Sequence, residues 1–261
     1  KGAVVTGIVL AVGLLGGLFY WMNTGLFKEE SYKFFSYDKY VKVASTDKLT
    51  YKKSQLKVSD KDVEKQIQAK LKNAGEKKLT EAFIKKNTDN ECKTKAEYEK
   101  HVRKQLEKDK KNSVGSELLS KVSGDSKLKK TPKLQLKAAK KDVEQNYEQM
   151  ASQYGMDVDR LIKAYGMDEK SYQAMVKNSA KESVKLHLVA HAIAKEEGIR
   201  LSSSDYDQRL KEFKESTGLS EKQFKKQAGS SYEDYAKENN FEEYFFQEKV
   251  GQFLVDKATA K

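Results

Sequence analysis

The 261 residues carry 34% charged against 38% hydrophobic side chains, with a formal net charge of +12, one proline and one cysteine. A single cysteine excludes an intramolecular disulfide, and the small apolar share points away from one thick core and toward an extended helical shape. The positive charge is lysine except at Arg103, Arg160, Arg200 and Arg209, whereas nucleic-acid grooves rely on arginine forks and aromatic platforms, so no nucleic-acid partner is expected.

The chain opens with an uncharged run, GAVVTGIVLAVGLLGGLFYWM, over residues 2–22. About 20 apolar residues in helix span a bilayer core. The run is longer than a cleaved signal's apolar region, and no Ala-x-Ala follows it. It ends on Phe19, Tyr20 and Trp21, which suit the aromatic belt at a membrane interface. Residues 1–22 are therefore expected to be a single-pass signal anchor in the cell membrane. Lys1 before the run orients the N-terminus to the cytoplasm and the bulk outside. Gly13 and Gly17 form a GxxxG pair that would permit a weak dimer.

Residues 23–57 form a polar-aromatic juxtamembrane segment. Its pieces YVKV and LTYKKSQLKV alternate as a small strand or hairpin would. From 58 to 130 the spacing predicts a helical body. Ser59 caps a helix with Val63, Ile67 and Leu71 on one face, ended by Gly75. Thr80 starts a short helix containing Phe83. Thr94 and Glu97 make a capping box for a long helix that carries Tyr98, Val102 and Leu106, with Leu118, Leu119 and Val122 further on. Residues 124–126 break it.

Residues 131–261 read as helix after helix. Caps at Asp157, Asp168, Ser202, Ser220 and Ser231 alternate with stops at Gly155, Gly166, Gly198, Gly218 and Gly229. The last helix is expected to run unbroken from Ser231 to Lys257. The landmarks Gly155, Gly166 and Tyr172 recur at Gly218, Gly229 and Tyr235, which predicts a duplicated unit, over about 134–198 and 199–258. Lysines give 93–141 a net surplus of ten positive charges, and 233–256 is net acidic. Such a lysine surface serves solubility or attraction to anionic envelope components.

Around this repeat, VKLHLVAHAIAKEEGIRLSSSDYDQRL (184–210) and EKVGQFLVDKA (248–258) resemble the C-terminal chaperone domain of bacterial trigger factor. So do LTEAFIKKN (79–87), KAEYEKHVRKQLEKDKK (95–111) and the helix start at Pro132. VSDKDVEKQI (58–67) resembles the stretch that leads into that family's isomerase insert. The resemblance covers most of 58–258 and implies an all-α cradle with two arms, a module related to that of SurA-type chaperones. It departs from the family in two places. No ribosome-docking Gly-Phe-Arg-x-Gly loop is found, and only residues 75–78 stand where an FKBP-type prolyl isomerase domain would be inserted. Isomerase activity is not expected to carry over.

Few residues suggest chemistry. His187 and His191 have metal-ligand spacing, but Leu188 stands where a zincin needs Glu and no third ligand is suggested, so a packing or surface role is expected. His101 reads as solvated, and Cys92 as lying in an exposed polar loop. No catalytic residue, metal or cofactor is expected. The better candidates are aromatics and methionines, whose adaptable surfaces suit promiscuous binding of unfolded segments: Tyr147, Met150, Tyr154, Met156, Tyr165, Met167, Tyr172 and Met175 in the N-terminal repeat, and Phe213, Phe224, Tyr235, Phe241, Tyr244 and Phe245 in the C-terminal repeat. Core packing competes for each of them.

The expected function is a membrane-anchored, ATP-independent holdase. Its partners would be unfolded or newly translocated polypeptides, the bilayer through residues 2–22, and secretion machinery. A scaffold subunit for one envelope partner and a residual prolyl isomerase are the alternatives.

Overall fold

The structure is a computed structural model that describes residues 36–88 and 90–261. The expected anchor, including Phe19, Tyr20 and Trp21, lies outside the described residues. Among the described residues no helix is long and apolar enough to cross a membrane. The chain divides into two compact units: one from Thr46–Leu118 and Arg200–Lys261, the other from Leu119–Ile199 with the segment that ends at Ser45.

The first unit begins with β2 (Thr50–Tyr51), a 3-10 turn (Lys53–Leu56), α1 (Asp60–Ala74), α2 (Glu81–Lys86) and α3 (Lys95–Asp125), whose last residues belong to the second unit. Ser59 Oγ accepts from Asp62 N–H and Asp62 reaches back to Ser59 N–H, so two orphan donors are satisfied at once. Gly75 ends α1 at φ 75°, a left-handed turn that costs glycine little. The i, i+4, i+8 stripe of Val63, Ile67 and Leu71 packs on Phe83, Ile84, Tyr98 and Val102. The unit closes with α7 (Ser203–Thr217), α8 (Glu221–Ala228), α9 (Tyr232–Glu238), α10 (Phe241–Lys257) and β4 (Thr259–Ala260). β4 lies parallel to β2, with Thr50 opposite Thr259.

Two expectations are corrected here. The helix expected over Ser231–Lys257 is two helices, because Asn240 sits at φ 49°. Asparagine tolerates that conformation, and the break turns Phe241 and Phe245 into the core. The strand-like pieces of the juxtamembrane segment do not pair with each other. Each finds a partner distant in sequence, which backbone pairing permits and local pattern cannot reveal.

The second unit contains β1 (Val41–Lys42), β3 (Lys127–Leu128), α4 (Lys133–Gln153), α5 (Val158–Ala164) and α6 (Glu169–Glu197). β1 and β3 are antiparallel, with Val41 opposite Leu128, and Ala44 N–H donates to Ser126 Oγ at 2.9 Å. α4 packs along α6, and Val143, Ile162, Tyr172 and Val176 form a small core where α5 joins them. Further along, α6 buries Val184, Leu188, Val189 and Ile193. His187 and His191 are buried with their rings 4.4 Å apart, and Tyr37 stacks on His191.

Candidate client-binding surface

The two repeated turns of the second unit are built alike. α4 ends at Gly155, φ 67°, and α5 ends at Gly166, φ 71°. In each, the next residue folds back on the helix it leaves: Met156 N–H donates to Ala151 O at 3.0 Å, and Met167 N–H to Ile162 O at 2.9 Å. Asp157 and Asp168 then cap the following helices through Arg160 N–H and Ser171 N–H. Both methionines are held half-buried at matching positions.

Tyr154 and Tyr165 follow the last residues of α4 and α5, and they remain 64% and 58% exposed. Tyr165 Oη donates to Met150 Sδ at 3.8 Å, and Tyr147 Oη to Met175 Sδ at 3.6 Å. Tyr147, Met150, Met156, Met167 and Met175 are half-buried. The end of the unit thus presents phenol rings and polarizable thioethers beside turns closed by their own backbone bonds. Such a surface can bind apolar side chains without fixed geometry.

The second aromatic set behaves differently. Phe213, Phe224, Phe241 and Phe245 are buried, and Tyr235 and Tyr244 are half-buried. Phe224 stacks on Tyr232 at 3.7 Å between centroids, and Phe213 meets Phe241 edge-on at 4.8 Å. The four phenylalanines belong to the core of the first unit, and Tyr172 is likewise buried in the second. Their expected place on an open surface is corrected accordingly: short helices bury too little aliphatic area, and the rings fill the space. The repeat makes the contrast concrete. At a spacing of 63 residues, Leu161 corresponds to Phe224, both buried. Exposed Tyr154 corresponds to buried Thr217, whose hydroxyl meets Tyr232 Oη, and Tyr165 corresponds to Ala228.

A buried polar network lies beside this aromatic core. Arg209 on α7 donates to both oxygens of Glu248 on α10 at 2.7 and 2.8 Å and also to Glu212. Asn112 on α3 donates to Glu248 at 2.9 Å, and Lys108 Nζ reaches Glu212 at 2.6 Å. Burial pushes the Glu248 carboxyl up although Arg209 opposes the shift. Burial likewise raises Asp109 to about 6, against the pull of Arg209. Lys70 is buried, with Nζ donating to Gln105 Oε1 at 2.9 Å and Glu215 O at 3.3 Å, and burial lowers it to about 8. This network joins α1, α3, α7 and α10 within the first unit.

The sequence reading missed these groups. One signal was available: Lys70 lies at i+3 from Ile67 and next to Leu71, on the apolar stripe of α1. Two further expectations are corrected. Cys92 is buried, its N–H bonded to Thr88 Oγ1 at 3.1 Å, and burial pushes its thiol up. His101 is half-buried, with Nε2 at 3.1 Å from Glu215.

The family model described as bacterial trigger factor protein (TF) C-terminus matches residues 92–256. The trigger factor of Staphylococcus saprophyticus is 27% identical over 147 residues, which cover 55% of this chain and 34% of that protein. The trigger factor of Bacillus subtilis is 27% identical over 150 residues, 56% of this chain and 35% of that protein. That of Halothermothrix orenii is 35% identical over 68 residues, 26% of this chain and 16% of that protein. The chain thus spans about a third of the length of the first two. No solved structure matches at a significant level.

Proposed function

We propose, from the premise that the chain belongs to the bacterial trigger factor C-terminal family, that it is an ATP-independent holdase for unfolded polypeptides. The observation that carries this reading is the exposed pair Tyr154 and Tyr165 set among Met150, Met156 and Met167. Exposed rings beside adaptable thioethers gain energy from any apolar segment and demand no sequence. Binding and release then need no covalent step.

The apolar run of residues 2–22 supports the second part of the proposal, that the holdase is tethered in the cell membrane. The body would stand on the extracytoplasmic side, near chains leaving the secretion channel. Tethering raises local concentration, so that weak contacts suffice. We assign no prolyl isomerase activity. The matched family covers only the chaperone domain, and α1 joins α2 through residues 75–80 alone.

The test is aggregation of a reduced secreted protein in the presence of the full chain. Suppression that rises with the amount of chain is expected, without nucleotide. No suppression at molar excess would overturn the holdase reading. Extraction of the chain from cell membranes by carbonate would overturn the anchor, and protection of the body from external protease in stripped cells would overturn its side.

A further inference from the structure

Residues 119–141 hold eight lysines and one acid, Asp125. Within the second unit Lys127 lies in β3 opposite Lys42, Lys129 and Lys130 follow the strand, and Lys133, Lys137 and Lys141 recur every four residues on α4. That spacing sets the last three on one helix face. All six are exposed, and among the described residues none pairs with a carboxylate. Lys129 Nζ donates only to Asp38 O, at 2.6 Å. Leu134 borders the face and is 65% exposed. The acids nearest in sequence are Asp125 at one end of the cluster and the buried Asp142 at the other, with Glu144 and Glu148 further along α4.

Local folding does not account for these lysines. A helix N-terminus is the positive end of the macrodipole and favours acids. Every other α-helix described has an acid in its first turn. α4 has none there and carries Lys133 instead. Unpaired lysines, the positive helix end and an exposed leucine together make the pattern of an interfacial surface, cations at head-group level and an apolar residue beneath.

The cluster is also held near the expected anchor. Val41 pairs with Leu128, which fixes the lysines to a point 19 residues beyond Met22. An extended chain of that length reaches at most about 70 Å. We infer that Lys127, Lys129, Lys130, Lys133, Lys137 and Lys141, with Leu134 at their edge, form a docking surface for anionic phospholipid head groups. The chain would then meet the bilayer twice, through residues 2–22 and through this face. This second contact rests on the tethered reading above. Each lysine held at an anionic surface strengthens surface binding about fivefold, and salt screens the attraction over about 10 Å at 0.1 M.

The experiment uses the full chain reconstituted into phosphatidylcholine vesicles, with and without phosphatidylglycerol. Amine acetylation at each lysine is followed by mass spectrometry, and flotation is measured in parallel. Labelling of the six lysines should fall several-fold in the anionic vesicles and recover in high salt, while Lys170 and Lys222 stay unchanged. In K129Q/K130Q/K133Q/K137Q, protection of Lys127 and Lys141 should be lost. Equal labelling in both vesicles overturns the surface. So does equal protection by soluble polyphosphate on neutral vesicles, which would make polyanions in general the ligand. Failure to float with neutral vesicles overturns the anchor alone. In that case salt-sensitive flotation with anionic vesicles still supports the docking surface, and its absence overturns it.

Discussion

Gly115 on α3 and Gly251 on α10 meet backbone to backbone. A Cβ placed on Gly115 would lie 2.6 Å from the Gly251 carbonyl carbon, and one on Gly251 would lie 2.8 Å from that of Gly115. The obstacle is main chain, which a rotamer change cannot clear. Alanine gains about 1 kcal/mol in helix propensity over glycine, but overpacking costs about 1–3 kcal/mol, occasionally more. Gly115→Ala and Gly251→Ala should therefore each destabilise the protein, seen as a lower urea midpoint. A midpoint raised by propensity would show that the helices separate freely.

Arg209 and Glu248 form a nearly dry pair, with side chains 14% and 4% exposed. Removing one member leaves the other charge buried, at a cost of about 3–5 kcal/mol. Glu248→Leu should lose about that much, partly because Asn112 also loses its acceptor. Arg209→Met together with Glu248→Leu should recover a large part. A double-mutant cycle by urea unfolding measures the coupling, and simple additivity would contradict it.

Asp109 supplies a pH dependence. Its folded value of about 6 lies above the ordinary value of about 3.9, so the folded state holds the proton more tightly. Its stabilising contribution is complete below about pH 4 and is lost as pH rises through about 6. Asp109→Asn should match wild type near pH 4 and exceed it by about 1–3 kcal/mol at pH 7.5. Glu248 shifts in the same direction, so the difference between the two proteins isolates Asp109. Urea curves that stay parallel across this range would contradict the assignment.

The helix boundaries were legible because capping is local chemistry. Ser59, Asp168 and Ser202 accept from the N–H three residues on, and Gly75, Gly198 and Gly218 turn left-handed, as their sequence positions require. What depends on distant partners was not legible. Val41 gives no sign that Leu128 is its neighbour. Asn240 breaks a run that reads as helix because Phe241 gains a place against Phe213. Aromatic type alone could not separate Phe224, enclosed by Tyr232, from Tyr165, left open: burial depends on what stands opposite.

The repeat supplies the substitutions that test the candidate surface. Tyr154→Thr with Tyr165→Ala places on the second unit the residues that the first unit carries at the matching positions, Thr217 and Ala228. Both tyrosines are exposed, so stability should change by less than about 0.5 kcal/mol. Truncating central aromatic contacts commonly costs over 1 kcal/mol of binding, so affinity for an unfolded client should fall about tenfold. Phe224→Ala is the counterpart. It empties a fully buried site and should cost about 3–5 kcal/mol of stability. Client affinity is read by fluorescence anisotropy of a labelled unfolded protein, and stability by urea. The surface stands if the tyrosine pair lowers binding at unchanged stability. If the pair binds clients as wild type does, the exposed rings are not where clients are held.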